Sequence, residues 1–420
     1  MLDIFIDRRL FVHYVGHMNE QFIPRPRYLE RITVFADTGL IKLITGQRRV
    51  GKSGILHLLA EKSRQEMPKK TILYIDKELS TWDRVADGAA LEAEAISVTG
   101  AGKAMLLIDE AQEIPGFDRA IRSLAAAGRH DIYVTGSNAR LLSGEIATLF
   151  AGRVATIRVH PLSYDEFLVF HQRDDSEESL GLYLRYGGLP FLRNLSLEDE
   201  TVLEYLGGVF DSVVLKDIVL RHGVRNPAIL ARIVEFVADS IGSPTSARNI
   251  ANYLKSRGVE VSPQSVLDYL SYLEESFAIR RVKPEDLQGK RILEGGDKYY
   301  FEDLGLRTRV RGFSQRELGK VVENAVFLRL ELDGWTINSG RVGTREIDFI
   351  CDRGTERIHV QACYLVADGA TREREFGALL ELKDAWPKFV VSMDPIQADE
   401  LGVKHLSLRS FLLGDYLKNG

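Results

Sequence analysis

Five short apolar runs punctuate the first part of the chain, at residues 40–45, 71–76, 104–109, 131–136 and 154–159, with helix-like periodicity between them. Runs of this length read as strands, and their near-continuous apolarity predicts burial on both faces. Strands alternating with helices predict a parallel sheet covered on both sides, an α/β layer. After Pro161 the pattern turns helical. Ser163 and Glu166 have the spacing of a capping box and open a helix running to Phe170. Helical periodicity continues over 177–193 and 199–222, broken by Gly187-Gly188-Leu189-Pro190. Three more helices are predicted over 227–241, 246–256 and 262–276, followed by the strand-like Ile279-Arg280-Arg281-Val282. Three helices and a wing form the winged helix-turn-helix arrangement. A helix over 319–332 and strands at 335–338, 346–350 and 357–363 predict a last α/β unit. The expected division is a lead-in (1–28), a sheet core (29–162), a helical lid (163–225), a winged-helix-like domain (226–312) and a C-terminal α/β domain (313–420).

The first apolar run leads into Gly46-Gln47-Arg48-Arg49-Val50-Gly51-Lys52-Ser53, followed by Gly54 and an amphipathic run. This is the G-x-x-x-x-G-K-[ST] pattern of a phosphate-binding loop. Gly46 and Gly51 let successive amide N–H groups point at phosphate oxygens, and the helix that follows presents its positive end to the same anion. Lys52 is expected on the β- and γ-phosphates and Ser53 on Mg²⁺. A plain turn between strand and helix is the competing reading, and the flanking elements favour the phosphate loop. The strand Ala104–Ile108 ends in Asp109-Glu110, at the edge where open α/β sheets bind ligands. Asp109 is expected to hold Mg²⁺ through water, and Glu110 to orient the attacking water. A third strand ends in Gly136-Ser137-Asn138; Ser137 and Asn138 suit a sensor of the γ-phosphate, although the same residues make an ordinary turn. Arg140 and Arg153 are the arginines considered for the γ-phosphate of the same or a neighbouring subunit. Arg153 is preferred because Gly152 gives it a turn from which to project. No N-K-x-D element follows these strands, which favours adenine over guanine.

A chain of 420 residues exceeds one ordinary core. No apolar stretch approaches a membrane span, and the N-terminus lacks the basic and apolar regions of a signal peptide. Two cysteines, Cys351 and Cys363, without metal-ligand spacing, predict a reducing, cytoplasmic setting. A net charge of −5 excludes a wholly basic nucleic-acid-binding surface and leaves local patches open. The helix 262–277 has no Lys or Arg, which disfavours major-groove reading. DNA would have to be met through the wing, where Arg280, Arg281, Lys283, Lys290 and Arg291 lie.

Together the motifs GQRRVGKS, LLIDEAQ, VTGSNARLL, AGR, PLSYDEF, YGGLP, YFEDLGL, EN and EIDF resemble a group of prokaryotic AAA-superfamily ATPases. These pair a P-loop domain with a C-terminal domain that looks like a PD-(D/E)xK, or restriction-endonuclease-like, fold. The resemblance implies ATP and Mg²⁺ as ligands and ATP hydrolysis as the activity. Glu323 and Asp348 match the helix and strand carboxylates of such a nuclease. Gln361-Ala362-Cys363 departs from its (D/E)-x-K, which leaves the site without the lysine expected to meet developing charge. The reading is an ATP-hydrolysing switch or remodelling protein acting on a protein client, with self-association open. The alternatives are a nucleic-acid-binding module gated by ATP and, disfavoured by the missing lysine, a metal-dependent nuclease.

Overall fold

Apolar runs bounded by polar turns fold as the periodicity predicts. The computed structural model describes residues 22–100, 102–138, 150, 152–286, 296–366 and 368–418. The chain divides into two compact units, residues 1–159 and 160–420. Most of the predicted lead-in, residues 1–21, lies outside the described residues.

The first unit is built on β1 (Ile41–Thr45), β2 (Thr71–Asp76), β3 (Ala104–Asp109), β4 (His130–Gly136) and β5 (Val154–Arg158). They form one parallel sheet in the order β2-β3-β4-β1-β5. Around it lie α1 (Pro26–Thr33), α2 (Lys52–Glu66), α3 (Gly88–Thr99) and α4 (Phe117–Ala126). β1, β3 and β4 are buried along their whole length. Leu43, Leu106, Ile108, Ile132 and Val134 share one core with Leu91, Ala95, Ile121 and Leu124 of the covering helices. Because β4 lies between β1 and β3, the C-terminal ends of all three strands open on one edge.

A buried charge pair lies on the opposite face of the sheet from this core. Lys42, in the middle of β1, is fully buried and donates to the Leu40 carbonyl (2.8 Å) and to Asp131 of β4. Tyr133 donates to the other Asp131 oxygen (2.8 Å), and its ring lies 4.3 Å from the ammonium. Burial pulls the Lys42 pKa down, against the opposing pull of Asp131.

The second unit begins with helices Tyr164–Phe170 and Glu177–Tyr186, the first carrying the predicted capping box. A π-turn, Phe210–Leu215, joins helices Asp199–Val209 and Lys216–His222. Then come Pro227–Asp239, Ala247–Ser256 and Pro263–Glu275, and a hairpin of β6 (Ile279–Asp286) and β7 (Lys298–Phe301). Helices Leu304–Arg311 and Leu318–Leu332 lead to β8 (Thr336–Val342), β9 (Arg345–Arg353) and β10 (Glu356–Ala362). Helix Gly369–Leu380, β11 (Lys388–Ser392), β12 (Val403–Ser407) and helix Leu408–Leu412 complete the unit.

Its sheet has the order β12-β11-β10-β9-β8-β6-β7. β6 is longer than the sequence suggests and pairs twice: its first half runs antiparallel to β7 and its second half parallel to β8. The hairpin is therefore part of the C-terminal sheet, and no structural break falls at residue 312. The segment expected as a separate lid is likewise built into this unit. A Cβ on Gly187 would lie 2.5 Å from the Asp303 carboxylate, which accepts the Gly188 N–H at 2.8 Å. Among the described residues no helix is long and apolar enough to cross a membrane.

The Lys42–Asp131 pair makes a direct prediction. Asp131→Ala strands an ammonium in the core and should destabilise the first unit by about 3–5 kcal/mol, read as a lower urea midpoint. Adding Lys42→Met should recover most of that loss; no recovery would show that the pair is not what holds the two strands.

Candidate nucleotide site

The loop after β1 owes its path to its glycines. Gly46 has φ +150°, and a Cβ there would fall 2.1 Å from the Val159 carbonyl oxygen. Gly51 caps α2 in the left-handed region at φ +94°. Arg49 also takes a positive φ and is exposed, whereas Val50 is fully buried. Arg25, just before α1, is buried and donates to the Val50 carbonyl at 2.9 Å, which pins the loop from its outer side. Gly54, in the first turn of α2, packs against Phe22. The Phe22 ring stacks on His57, and His57 stacks on Tyr74.

Lys52 folds back into this loop. Its ammonium donates to the carbonyls of Gly46 (3.1 Å) and Gln47 (3.0 Å) and lies 3.6 Å from Glu110 Oε1. The buried Gln47 amide has neither of its polar atoms paired. A buried amide left unsatisfied is costly, and together with the closed cradle at Gly46 it fits a loop shaped to receive phosphate oxygens.

Asp109 and Glu110 face this loop from the end of β3, with their pKa values shifted in opposite directions. Asp109 is wholly buried and accepts from Thr135 Oγ1 and from the Tyr74 hydroxyl (3.2 Å). Its carboxyl also takes a hydrogen bond from Ser53. Burial first, and then the neighbouring Glu110 charge, push its pKa up to about 6. Burial acts on Glu110 in the same sense, but Lys52, Gln112, Arg48 and Ser137 hold its carboxyl below the ordinary range. Glu110 Oε2 accepts from Gln112 Nε2 and from Ser137 Oγ (3.1 Å). Arg48 reaches the same group, 3.3 Å from Ser137 Oγ. The oxygen donors of Ser53 and Asp109 are of the kind a small hard cation such as Mg²⁺ takes.

The structure thus brings together Gly46, Gln47, Arg48, Gly51, Lys52, Ser53, Asp109, Glu110 and Ser137; Asn138 is buried one residue further on. It does not bring Arg153 to them. Arg153 precedes β5, its carbonyl bonds the Ile41 N–H, and its side chain is exposed. That is the N-terminal edge of the sheet, about five residues or roughly 17 Å from the loop. The expectation that it serves its own nucleotide is corrected by this geometry. Arg140 lies outside the described residues. Thr135 was not foreseen: its hydroxyl contacts Asp109 and also accepts the Glu110 N–H at 2.8 Å, so one side chain aligns both acids. The available signal was a hydroxyl directly after the run Ile132-Tyr133-Val134.

The second expected cluster also differs. Glu323 and Asp348 do approach each other, but a cation absent from the sequence reading lies between them. Lys298 of β7, 1% exposed, contacts Glu323 Oε1 (3.1 Å), Glu346 Oε1 (2.9 Å) and Asp348 Oδ1 (3.0 Å). Cys363 still leaves the nuclease-lysine position without a cation; Lys298 comes from a different strand and faces the carboxylates themselves. Of the wing's basic groups, Arg280 binds Glu331 at 2.6 Å and Arg281 lies within 4 Å of Glu274 and Asp297, whereas Lys283 is exposed. Lys290 and Arg291 lie outside the described residues.

A parallel sheet with a glycine-framed Lys-Ser loop after one strand, and an acidic pair at the end of a strand two places away, defines the P-loop class of nucleotide-binding proteins. The AAA domain family matches residues 38–168, so this segment of the chain is similar to an AAA domain. A domain of unknown function (DUF8612) matches residues 177–317. An uncharacterized protein of Haemophilus influenzae is 33% identical over 407 residues, which cover 94% of this chain and 100% of the relative. The chain belongs to the family of that protein. An uncharacterized protein of Methanocaldococcus jannaschii is 27% identical, over 89% of this chain and 86% of its own length. Among solved structures, the Walker-type ATPase of Pyrococcus abyssi is similar at TM-score 0.45 and 16% identity, covering 72% of this chain and 99% of that one. A likeness of that degree is too low to bear on function.

The Asp109 environment predicts a pH signature. A carboxyl whose pKa is raised in the folded state costs stability once ionised, so the cost grows from about pH 4 and is complete above about pH 6. Without nucleotide, Asp109→Asn should stabilise the first unit by up to about 3 kcal/mol near pH 8 and by little near pH 4. Urea unfolding at the two pH values reads this directly, and an equal effect at both would refute the assignment.

Proposed function

We propose that this protein binds ATP with Mg²⁺ at the loop 46–54 and hydrolyses it, acting as a switch or remodelling ATPase. The observation that carries the reading is Lys52: it is buried against two loop carbonyls and Glu110, on the spot a phosphate would claim. In this reading the Lys52 ammonium leaves the Gly46 and Gln47 carbonyls for the β- and γ-phosphate oxygens. The loop amides and the start of α2 hold the remaining phosphate charge. Ser53 and Asp109 hold Mg²⁺, which supplies positive charge to the phosphates when bound. Glu110, drawn from Gln112 and Ser137, orients the attacking water and accepts its proton. Thr135 keeps the two acids in their separate roles. Ser137 and Asn138 report the γ-phosphate to β4, and Arg153 serves the site of a second copy.

Within the second unit, the three helices 227–275 and the β6–β7 hairpin are read as a winged-helix element, supported by their order. Residues 313–420 are read as a restriction-endonuclease-like layer, supported by the approach of Glu323 to Asp348. Both cysteines are buried and unpaired, which supports the cytoplasmic setting. Helical segments and sheet joined in one unit suit transmission of a nucleotide-dependent change to a protein client.

Two substitutions test the assignment. Lys52→Ala should abolish fluorescent-ATP binding and phosphate release while the circular dichroism stays native; wild-type turnover in that variant would remove the central claim. Glu110→Gln should keep near-normal ATP affinity and lose turnover by roughly 10²-fold or more. Loss of binding instead would make Glu110 a metal ligand and reverse its division of labour with Asp109.

A further inference from the structure

Lys298 opens a short strand whose alternate residues face one helix. Lys298 and Tyr300 stand two apart on β7, and Glu323 and Phe327 stand one turn apart on helix Leu318–Leu332. The Tyr300 ring stacks on Phe327 at 4.4 Å, and its hydroxyl donates to Glu323 Oε1 at 2.7 Å. This packing aims the Lys298 side chain past Glu323 toward β9, where Glu346 and Asp348 stand two apart on the same face.

The ammonium then meets three carboxylate oxygens from three residues at 2.9–3.1 Å. An ammonium has three N–H donors and no acceptor. Two of them bond Glu323 and Asp348, and the Glu346 carboxylate lies 2.9 Å from the same nitrogen, so the ammonium is committed to the cluster rather than to a phosphate. This differs from a nuclease lysine, which must keep a donor for the reacting group. The cluster is also tied on its far side. Asp348 Oδ2 accepts the Ala362 N–H (3.0 Å), and the Asp348 N–H donates to Gln361 Oε1 (3.1 Å). Gln361 turns its amide nitrogen to Glu375 at 2.9 Å, and Arg374 neutralises the remaining Glu375 oxygen. Gly242, at φ +71°, closes in on Glu323: a Cβ there would lie 2.2 Å from Glu323 Oε2.

Three carboxylates converging on one buried point are what an oxygen-seeking divalent cation requires. We propose that Glu323, Glu346 and Asp348 form a latent divalent-cation site whose seat is taken by the protein's own Lys298 ammonium. The C-terminal layer then carries its counter-ion in its sequence and needs no metal to assemble. The charge balance agrees. Burial works against the Lys298 charge, but Glu323, Tyr300, Asp348 and Glu346 hold its pKa well above the ordinary value. Burial and Asp348 push the Glu323 carboxyl upward, as expected when three acids share a single positive charge.

The test is a Mn²⁺ titration of the full chain without nucleotide, with free Mn²⁺ followed by electron paramagnetic resonance. Wild type should bind no Mn²⁺ that Asp348→Asn abolishes. Lys298→Met should gain one Mn²⁺ per chain, with a Kd on the order of 10⁻⁴ M as at weak all-oxygen sites. Bound Mn²⁺ should raise the melting temperature of that variant, and Lys298→Met with Asp348→Asn should lose both effects. If Lys298→Met alone does not fold, Lys298→Met with Glu346→Gln relieves one uncompensated carboxylate and enters the same titration. Mn²⁺ binding by wild type that disappears in Asp348→Asn overturns the proposal. So does a folded variant without Lys298 that takes up no Mn²⁺. None of these outcomes depends on whether the loop at Lys52 hydrolyses ATP.

Discussion

Burial of β1, β3 and β4 on both faces is the constraint from which the rest of the first unit follows. A strand with no solvent-facing side can place chemistry only at its ends. Insertion of β4 between β1 and β3 gathers those ends at one edge: Thr45 before the loop, Asp109 before Glu110, and Thr135 before Ser137. The same constraint explains why Thr135 can touch both acids. Its strand lies beside β3, and its hydroxyl is held in a dry layer where a hydrogen bond is strong and an unpaired group is expensive.

Three lysines are buried among the described residues, and each is accommodated differently. Lys42 sits in a core and is held by one carboxylate, one carbonyl and an aromatic face. Lys298 sits among three carboxylates that engage its ammonium together. Lys52 makes do with two backbone carbonyls and a carboxylate at 3.6 Å. Carbonyls are weaker partners for an ammonium than ionised oxygens, so Lys52 is the one that a phosphate can draw away at least cost. The contrast sets one lightly held lysine apart from two that complete the fold.

What could be read in advance was local. The loop 46–53, the acidic strand end at 109–110 and the five strands of the sheet are each a contiguous pattern with a physical period, and their placement matches the structure closely. What could not be read was pairing across distance. Lys298 precedes two tyrosines and a phenylalanine, so it looks like the polar start of a strand; nothing near it in sequence announces Glu323, Glu346 or Asp348. Arg153 was judged by its turn rather than by the direction of its strand, and the parallel register puts it at the opposite edge of the sheet. The helical and α/β segments of the second unit look separable because their periodicities differ, while the sheet that unites them depends on a few backbone pairings invisible to composition.

The double pairing of β6 has a consequence for how this protein can be divided. Its second half supplies the hydrogen-bonding partner for β8 over Asn338–Arg341. A fragment beginning after residue 312 would keep every acidic residue of the C-terminal cluster, yet it would bare that row of N–H and C=O groups on a strand meant to be interior. Exposed edges of this kind pair with whatever strand is at hand. Such a piece would also lack Lys298 and leave three carboxylates facing one another. The natural seam therefore lies near Val159, where the first sheet has ended and the second unit has not yet begun.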